Sequence, residues 1–161
     1  MADQHRAVVR LREKFADSVL DVKEFRGEVT VTVKKEKIVA ICTFLRDNLK
    51  YNLLSDVTAV DYLGSEPRFM MVYNLYSIPN KDRLRLKAPV AEESTVVDTV
   101  SGVWSSADWL EREVFDLFGI TFTGHPDLRR ILLTDDWIGY PLRKDYPLQG
   151  PDREPYQGRL S

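Results

Sequence analysis

The apolar residues of the chain switch between helical and strand spacing from one segment to the next. Val8, Leu11 and Phe15 recur at i, i+3 and i+7 with Arg and Glu between them, which predicts a short amphipathic helix over His5 to Asp17 with one solvated face. Leu20 to Phe25 and the alternating Val29, Val31 and Val33 flank Gly27, a period of two that predicts two strands joined by a turn. Ile38, Ile41, Cys42, Leu45 and Leu49 share one face of a second helix, from about Glu36 to Lys50. Three more strands are expected: Leu53 to Leu63, Arg68 to Ile78 after the Gly64-Ser65-Glu66-Pro67 turn, and a third after Pro79-Asn80-Lys81-Asp82. The Phe69 to Tyr76 run is nearly all apolar and suits a central strand. Leu84, Leu86 and Ala88 alternate with Arg83, Arg85 and Lys87, as in a strand with one wet face. The order αββαβββ predicts an α+β domain, its helices packed on a mainly antiparallel or mixed sheet.

A third helix is expected from Ser105 to Gly119. Ser105 and Asp108 have capping-box spacing at its start, and Gly119 suits the residue just past its end. At about 100° per residue, Leu110, Val114, Leu117 and Phe118 share a core-facing arc, while Asp108, Arg112 and Asp116 stack on the opposite side. Trp109 and Phe115 flank that charged ladder. Two large aromatics on an outer face imply a cover, either the C-terminal segment of the chain or that segment together with a partner.

After Ile120 the composition changes. Five of the eight prolines (126, 141, 147, 151 and 155) fall there with Gly124, Gly139, Gly150 and Gly158, which excludes a long helix or an inner strand. Phe122, Ile131, Trp137, Tyr140, Tyr146 and Tyr156 set the segment apart from a disordered tail. The expected organisation is an α+β domain over residues 1–120 and an extended arm over 121–161 that docks on the domain and on partner subunits.

Candidate chemistry is sparse. Cys42 is the only cysteine, so the chain has neither a disulfide nor the four thiolates of an ordinary iron-sulfur cluster, and a small buried apolar role is expected for it. His5 and His125 are far apart in sequence and lack nearby zinc-ligand spacing, so His125, between Gly124 and Pro126, reads as a hydrogen-bonded turn residue. A formal charge of −2 gives no pull toward nucleic acid. No phosphate-binding glycine loop occurs, the N-terminus lacks the apolar core of a signal peptide, and no apolar run approaches the ~20 residues of a membrane span. A free-standing acid-base enzyme would use Glu111, Glu113 and His125, but the two glutamates lie about 200° apart around a helix. Arg112, Arg129, Arg130, Arg143 and Lys144 are all possible partners for the carboxylates.

The stretch Ala107 to Ile120, then Gly124-His125-Pro126-Asp127-Leu128-Arg129-Arg130-Ile131-Leu132, then Pro141-Leu142-Arg143-Lys144-Asp145-Tyr146-Pro147-Leu148, resembles the signature of the C-type, or 30 kDa, subunit family of bacterial-type NADH-quinone oxidoreductase (complex I). Glu111, Arg112, Glu113, Asp116, Leu117, Phe118, His125, Arg129, Ile131 and Leu132 meet the motif at matching intervals. The resemblance implies a peripheral-arm subunit without flavin, cluster or quinone of its own, needed for assembly of the quinone-reducing module. Its implied partners are the large, D-type subunit that helps form the quinone cavity and neighbouring iron-sulfur subunits, on the cytoplasmic face of the cell membrane without insertion into it. Trp109, Phe115, Arg130, Trp137, Arg143, Lys144 and Tyr146 join the motif residues as the expected interface and structural set. Energy-converting hydrogenases and ferredoxin-dependent photosynthetic complexes carry related subunits and supply the alternative reading.

Overall fold

A computed structural model describes residues 4–149; Gly150, Pro151, Pro155, Tyr156 and Gly158 of the expected arm lie outside the described residues. Helix α1 (Arg6–Phe15) is followed by strands β1 (Val19–Phe25) and β2 (Glu28–Val33), helix α2 (Ile38–Leu49), and strands β3 (Leu53–Asp61), β4 (Phe69–Ser77) and β5 (Asp82–Val90). The five strands form one sheet in the order β1-β2-β5-β4-β3. Only β2 and β5 run parallel; every other pair is antiparallel, so the sheet is mixed. The apolar β4 is an interior strand, and β5, with its basic outer row, is the middle one.

Burial follows the alternation. Val31, Val33, Met71, Tyr73, Leu86 and Ala88 point to one side, where they join Val8 and Leu11 of α1 and Ile38, Ile41, Cys42 and Leu45 of α2 in a single core. His5 caps α1: its Nδ1 accepts from the Ala7 N–H at 3.3 Å while Nε2 reaches Asp82 at 3.1 Å. Burial pushes the Cys42 thiol far up, so it behaves as a packed apolar side chain.

Two short strands, β6 (Val96–Asp98) and β7 (Thr121–Thr123), were not apparent in the hydrophobic pattern and pair in parallel. Three residues are too few for a period to show. They flank helix α3 (Ala107–Phe118), and Phe122 of β7 enters the core, so the first residues after Ile120 are woven into the domain.

The expected capping box at the start of α3 does not form. Ser106 takes the N-cap position with φ −63° and ψ −24° and no side-chain cap. A tight turn replaces it: the Ala107 N–H donates to Trp104 O at 3.0 Å and the Asp108 N–H to Ser105 O at 3.3 Å, leaving a side-chain cap nothing to satisfy there. Gly119 ends the helix as expected, with φ 71° and its N–H on Phe115 O at 2.9 Å.

Candidate functional site: an arm held by the buried charges of one helix

The core arc of α3 is in place, with Val114 and Phe118 buried and Leu110 and Leu117 half-buried. The opposite side is not solvated: Asp116 is fully buried and Arg112 is 8% exposed. Among the described residues Arg112 and Asp116 do not pair with each other but bind the arm, while the Asp108 carboxylate lies 3.5 Å from His125 Nε2. Arg112 donates from Nε to Arg129 O and from Nη2 to Arg130 O, both at 3.1 Å. One oxygen of Asp116 accepts the N–H groups of Ile131 at 3.1 Å and of Leu132 and Leu133 at 2.8 Å; the other takes Arg130 Nη1 at 2.8 Å. Three successive amides form a concave anion seat that no side chain one helical turn away reproduces. An arm without ladder partners of its own must find acceptors and donors elsewhere, and α3 supplies both. Burial alone would raise the Asp116 carboxyl, but the amides of Leu133, Leu132 and Ile131 and the Arg130 guanidinium hold it below its ordinary value.

Glu111 faces the other way, fully buried. It accepts the Val100 N–H at 2.8 Å and the Thr99 hydroxyl, tying α3 to the loop after β6. Burial pushes its carboxyl up, against the pull of those two donors and of His125. His125 Nδ1 accepts the Asp127 N–H at 3.1 Å, which puts the ring proton on Nε2, donated to Asp108 O at 3.0 Å. Its Nε2 also lies 3.9 Å from Glu111 Oε2. Glu113 is exposed on the far side, so Glu111, Glu113 and His125 do not converge.

The arm then wraps the end of α3. Leu142 N–H donates to Leu117 O at 3.1 Å and Arg143 Nε to Phe118 O at 2.6 Å, capping the last carbonyls of the helix. The Tyr140 ring lies against Gly119, where a Cβ would sit 2.5 Å from it. Arg130 and Arg143 stack on that ring at 5.6 and 4.8 Å, and Tyr146 lies over Gly139 with its hydroxyl donating to Ile138 O at 3.2 Å. The side chain of Arg129 is exposed and paired with Asp127 at 2.9 Å. Lys144 contributes its backbone: its N–H donates to Asp61 Oδ2 at 2.8 Å.

Asp61 was missed in the sequence, as was Arg68. The Arg68 guanidinium makes a fork on Asp61 at 3.0 and 2.9 Å, with both side chains buried, and reaches Asp145 of the arm at 2.8 Å and Glu92 at 2.5 Å. The Arg68 hydrogen bonds hold the carboxyls of Asp61 and Asp145 below their ordinary values. A signal did exist. Asp61 stands in the buried phase of β3, after Val57 and Ala59, where a carboxylate demands a partner.

Phe115 and Trp137 are half-buried, and Trp109 remains 62% exposed under the Arg112 guanidinium. Leu132, Ile138 and Leu142 are exposed along the arm. Among the described residues no helix is long and apolar enough to cross a membrane.

The chain is an α+β protein whose C-terminal segment is bound along its third helix, and residues 31–152 match the family model described as the 30 kDa subunit of respiratory-chain NADH dehydrogenase. The chain belongs to that family. It is 74% identical over 162 residues to the C-type subunit of NADH-quinone oxidoreductase from Geobacter metallireducens, covering all of both chains. The subunit of the same name from Geotalea uraniireducens is 73% identical, over all of this chain and 98% of that one. Among solved structures, the trypsin-resistant fragment (1-134) of Nqo5 aligns with a TM-score of 0.68 and 34% identity, over 76% of this chain and 99% of the fragment. A chain of an archaeal membrane-bound sulfane sulfur reductase aligns with a TM-score of 0.75 and 25% identity, over 88% of this chain and 84% of that one.

Proposed function

We propose that the chain acts as the 30 kDa, C-type subunit of a proton-translocating NADH-quinone oxidoreductase, in the peripheral arm, with no redox group and no catalytic residue of its own. It docks chiefly on the large quinone-cavity subunit and on neighbouring iron-sulfur subunits, at the cytoplasmic face of the cell membrane. The observation that carries this reading is the use made of the α3 charges. Arg112 and Asp116 are occupied by the backbone of the arm and Glu111 by the loop after β6, which leaves a surface of Trp109, Leu132, Ile138 and Leu142 for a partner. The Nqo5 relative supports a stably folded domain, since its structure is that of a trypsin-resistant fragment.

The relatives at 73 and 74% identity favour the NADH-quinone enzyme over a hydrogenase or a ferredoxin-dependent complex; the sulfane sulfur reductase chain stands at 25%. Native purification of the tagged subunit from its own cells, read by mass spectrometry, tests the assignment. Flavin- and NADH-binding subunits are expected to co-purify. Recovery of a hydrogenase large subunit without them would overturn it. The isolated subunit is expected to be colourless and unable to oxidise NADH, and a flavin or iron-sulfur spectrum in it would refute the cofactor-free role.

A further inference from the structure

The core occupies one face of the sheet; the other face carries no helix from the core cluster. Register aligns that second face in rows. Arg85 of β5 lies beside Asn74, Lys87 beside Val72, Pro89 beside Met70, and Arg83 beside Tyr76. Its middle strand therefore presents three cations at i, i+2 and i+4. Glu28 offsets Arg85 at 2.9 Å, but no ion pair joins Arg83 or Lys87 to a carboxylate among the described residues. Among the described residues, Arg83 rests on the Tyr76 ring, 5.9 Å from its centroid. Asp21, beside Thr32, and Asp56, beside Asn74, share this face with Glu28, so its carboxylates stand on the flanking strands while the three cations stand together on the middle one. Beyond Lys87 the face turns apolar, and Val72 is only 7% exposed although it stands outside the core cluster. A groove of about 450 Å³ opens on the same face between Leu53, Asn74, Tyr76, Arg83 and Arg85.

We propose that this second face is a docking surface for an extended acidic segment of a neighbouring subunit, distinct from the arm surface. Carboxylates of the segment meet Arg83 and Lys87, and its apolar side chains cover the half-buried Met70 and Pro89. A small anion does not fit the pattern: Arg83 and Lys87 are four residues apart on a strand, about 13 Å, too far for one carboxylate or phosphate to bridge. A segment of chain spans that distance. The idea rests on the assignment proposed above, and the test separates the two.

Lys87 is labelled with an amine-acylating reagent in the free subunit and in the purified complex, and modification is read by mass spectrometry. At least tenfold protection in the complex is expected, with a zero-length carbodiimide cross-link from Lys87 to an Asp or Glu of another subunit. Equal labelling in both states overturns the proposal, and so does a cross-link to a second copy of this chain. The double variant Arg83→Glu, Lys87→Glu is expected to melt like the parent, since neither side chain has a carboxylate partner among the described residues, yet to leave the complex at lower salt. Lys87→Arg is expected to stay bound. If the parent protein co-purifies with the oxidoreductase and the double variant shows the same salt resistance, the docking face is wrong and the functional assignment stands. If the parent itself does not co-purify, the assignment is wrong and the docking proposal falls with it.

Discussion

Asp116→Ala takes the acceptor from four donors at once: three backbone amides and the Arg130 guanidinium. Removing one member of a buried hydrogen-bonded charge set costs about 3 to 5 kcal/mol, against about 0 to 1 for an exposed pair such as Arg129 with Asp127. At about 2 to 4 °C per kcal/mol for a chain of this size, Asp116→Ala is expected to lower the melting temperature of the isolated protein by roughly 10 °C. Asp127→Ala is expected to leave it within about 2 °C. The pH dependence has two opposing parts. Asp116 and Asp61 have depressed carboxyls, so their stabilisation is present above the unfolded value of about 3.9 and is lost as pH falls through their folded values. Glu111 is raised, so its contribution is full below about 4.3 and is lost as pH rises through its folded value. Urea unfolding between pH 3 and 7 is expected to show the parent gaining on Glu111→Gln as pH falls toward 4, and Asp116→Asn losing part of the acid slope below about pH 4. A pH-independent difference for either variant would remove that residue from the linkage.

At the scale of elements, Gly119 and Gly27 separate two demands that glycine meets. Both have positive φ, 71° and 79°, but a Cβ at Gly27 meets nothing within 4 Å, whereas at Gly119 it runs into the Tyr140 ring. Gly27→Ala is expected to cost about 1 kcal/mol, the left-handed penalty alone. Gly119→Ala must also displace Tyr140 and the two guanidiniums stacked on it, so hydrogen exchange at residues 139–146 is expected to accelerate. Equal behaviour of the two variants would show that the ring contact holds nothing. The same helix shows what a sequence displays and what it conceals. Burial imposes a period, so the amphipathic stripes of α1 and α2 and the alternation of β2 and β5 were legible, as was Gly119. The targets of Arg112 and Asp116 were not, because both bind main-chain atoms of the arm, and a backbone amide looks the same under every side chain. The stacked charges left Arg112, Arg129, Arg130, Arg143 and Lys144 all open as partners of the carboxylates, and Arg130 is the one that meets Asp116. Asp61 was legible in principle from its place in the buried phase of β3, while Arg68 was not, since nothing in the turn before β4 marks it as a buried partner.

For the whole molecule, the arm and α3 stabilise each other only together, and this limits what any one substitution can do. If Asp116 is lost, the unpaired amides of residues 131–133 escape their penalty by lifting the arm into water, so the cost of Asp116→Ala cannot exceed the free energy with which the arm docks. Conversely, deleting the arm lets water solvate Asp116 and Arg112, which then carry no buried-charge penalty. A chain ended after Gly124 keeps β7 and the core residue Phe122, and is expected to retain its sheet by circular dichroism while losing the docking contribution of the arm. Asp116→Ala is expected to cost several kcal/mol in the full chain and below about 0.5 kcal/mol in the shortened one. The difference is the coupling energy, and residues in one hydrogen-bond network couple by about 0.5 to 3 kcal/mol. Equal costs in the two backgrounds would mean that Asp116 stabilises α3 itself, and that the arm is not seated by the charges of the helix.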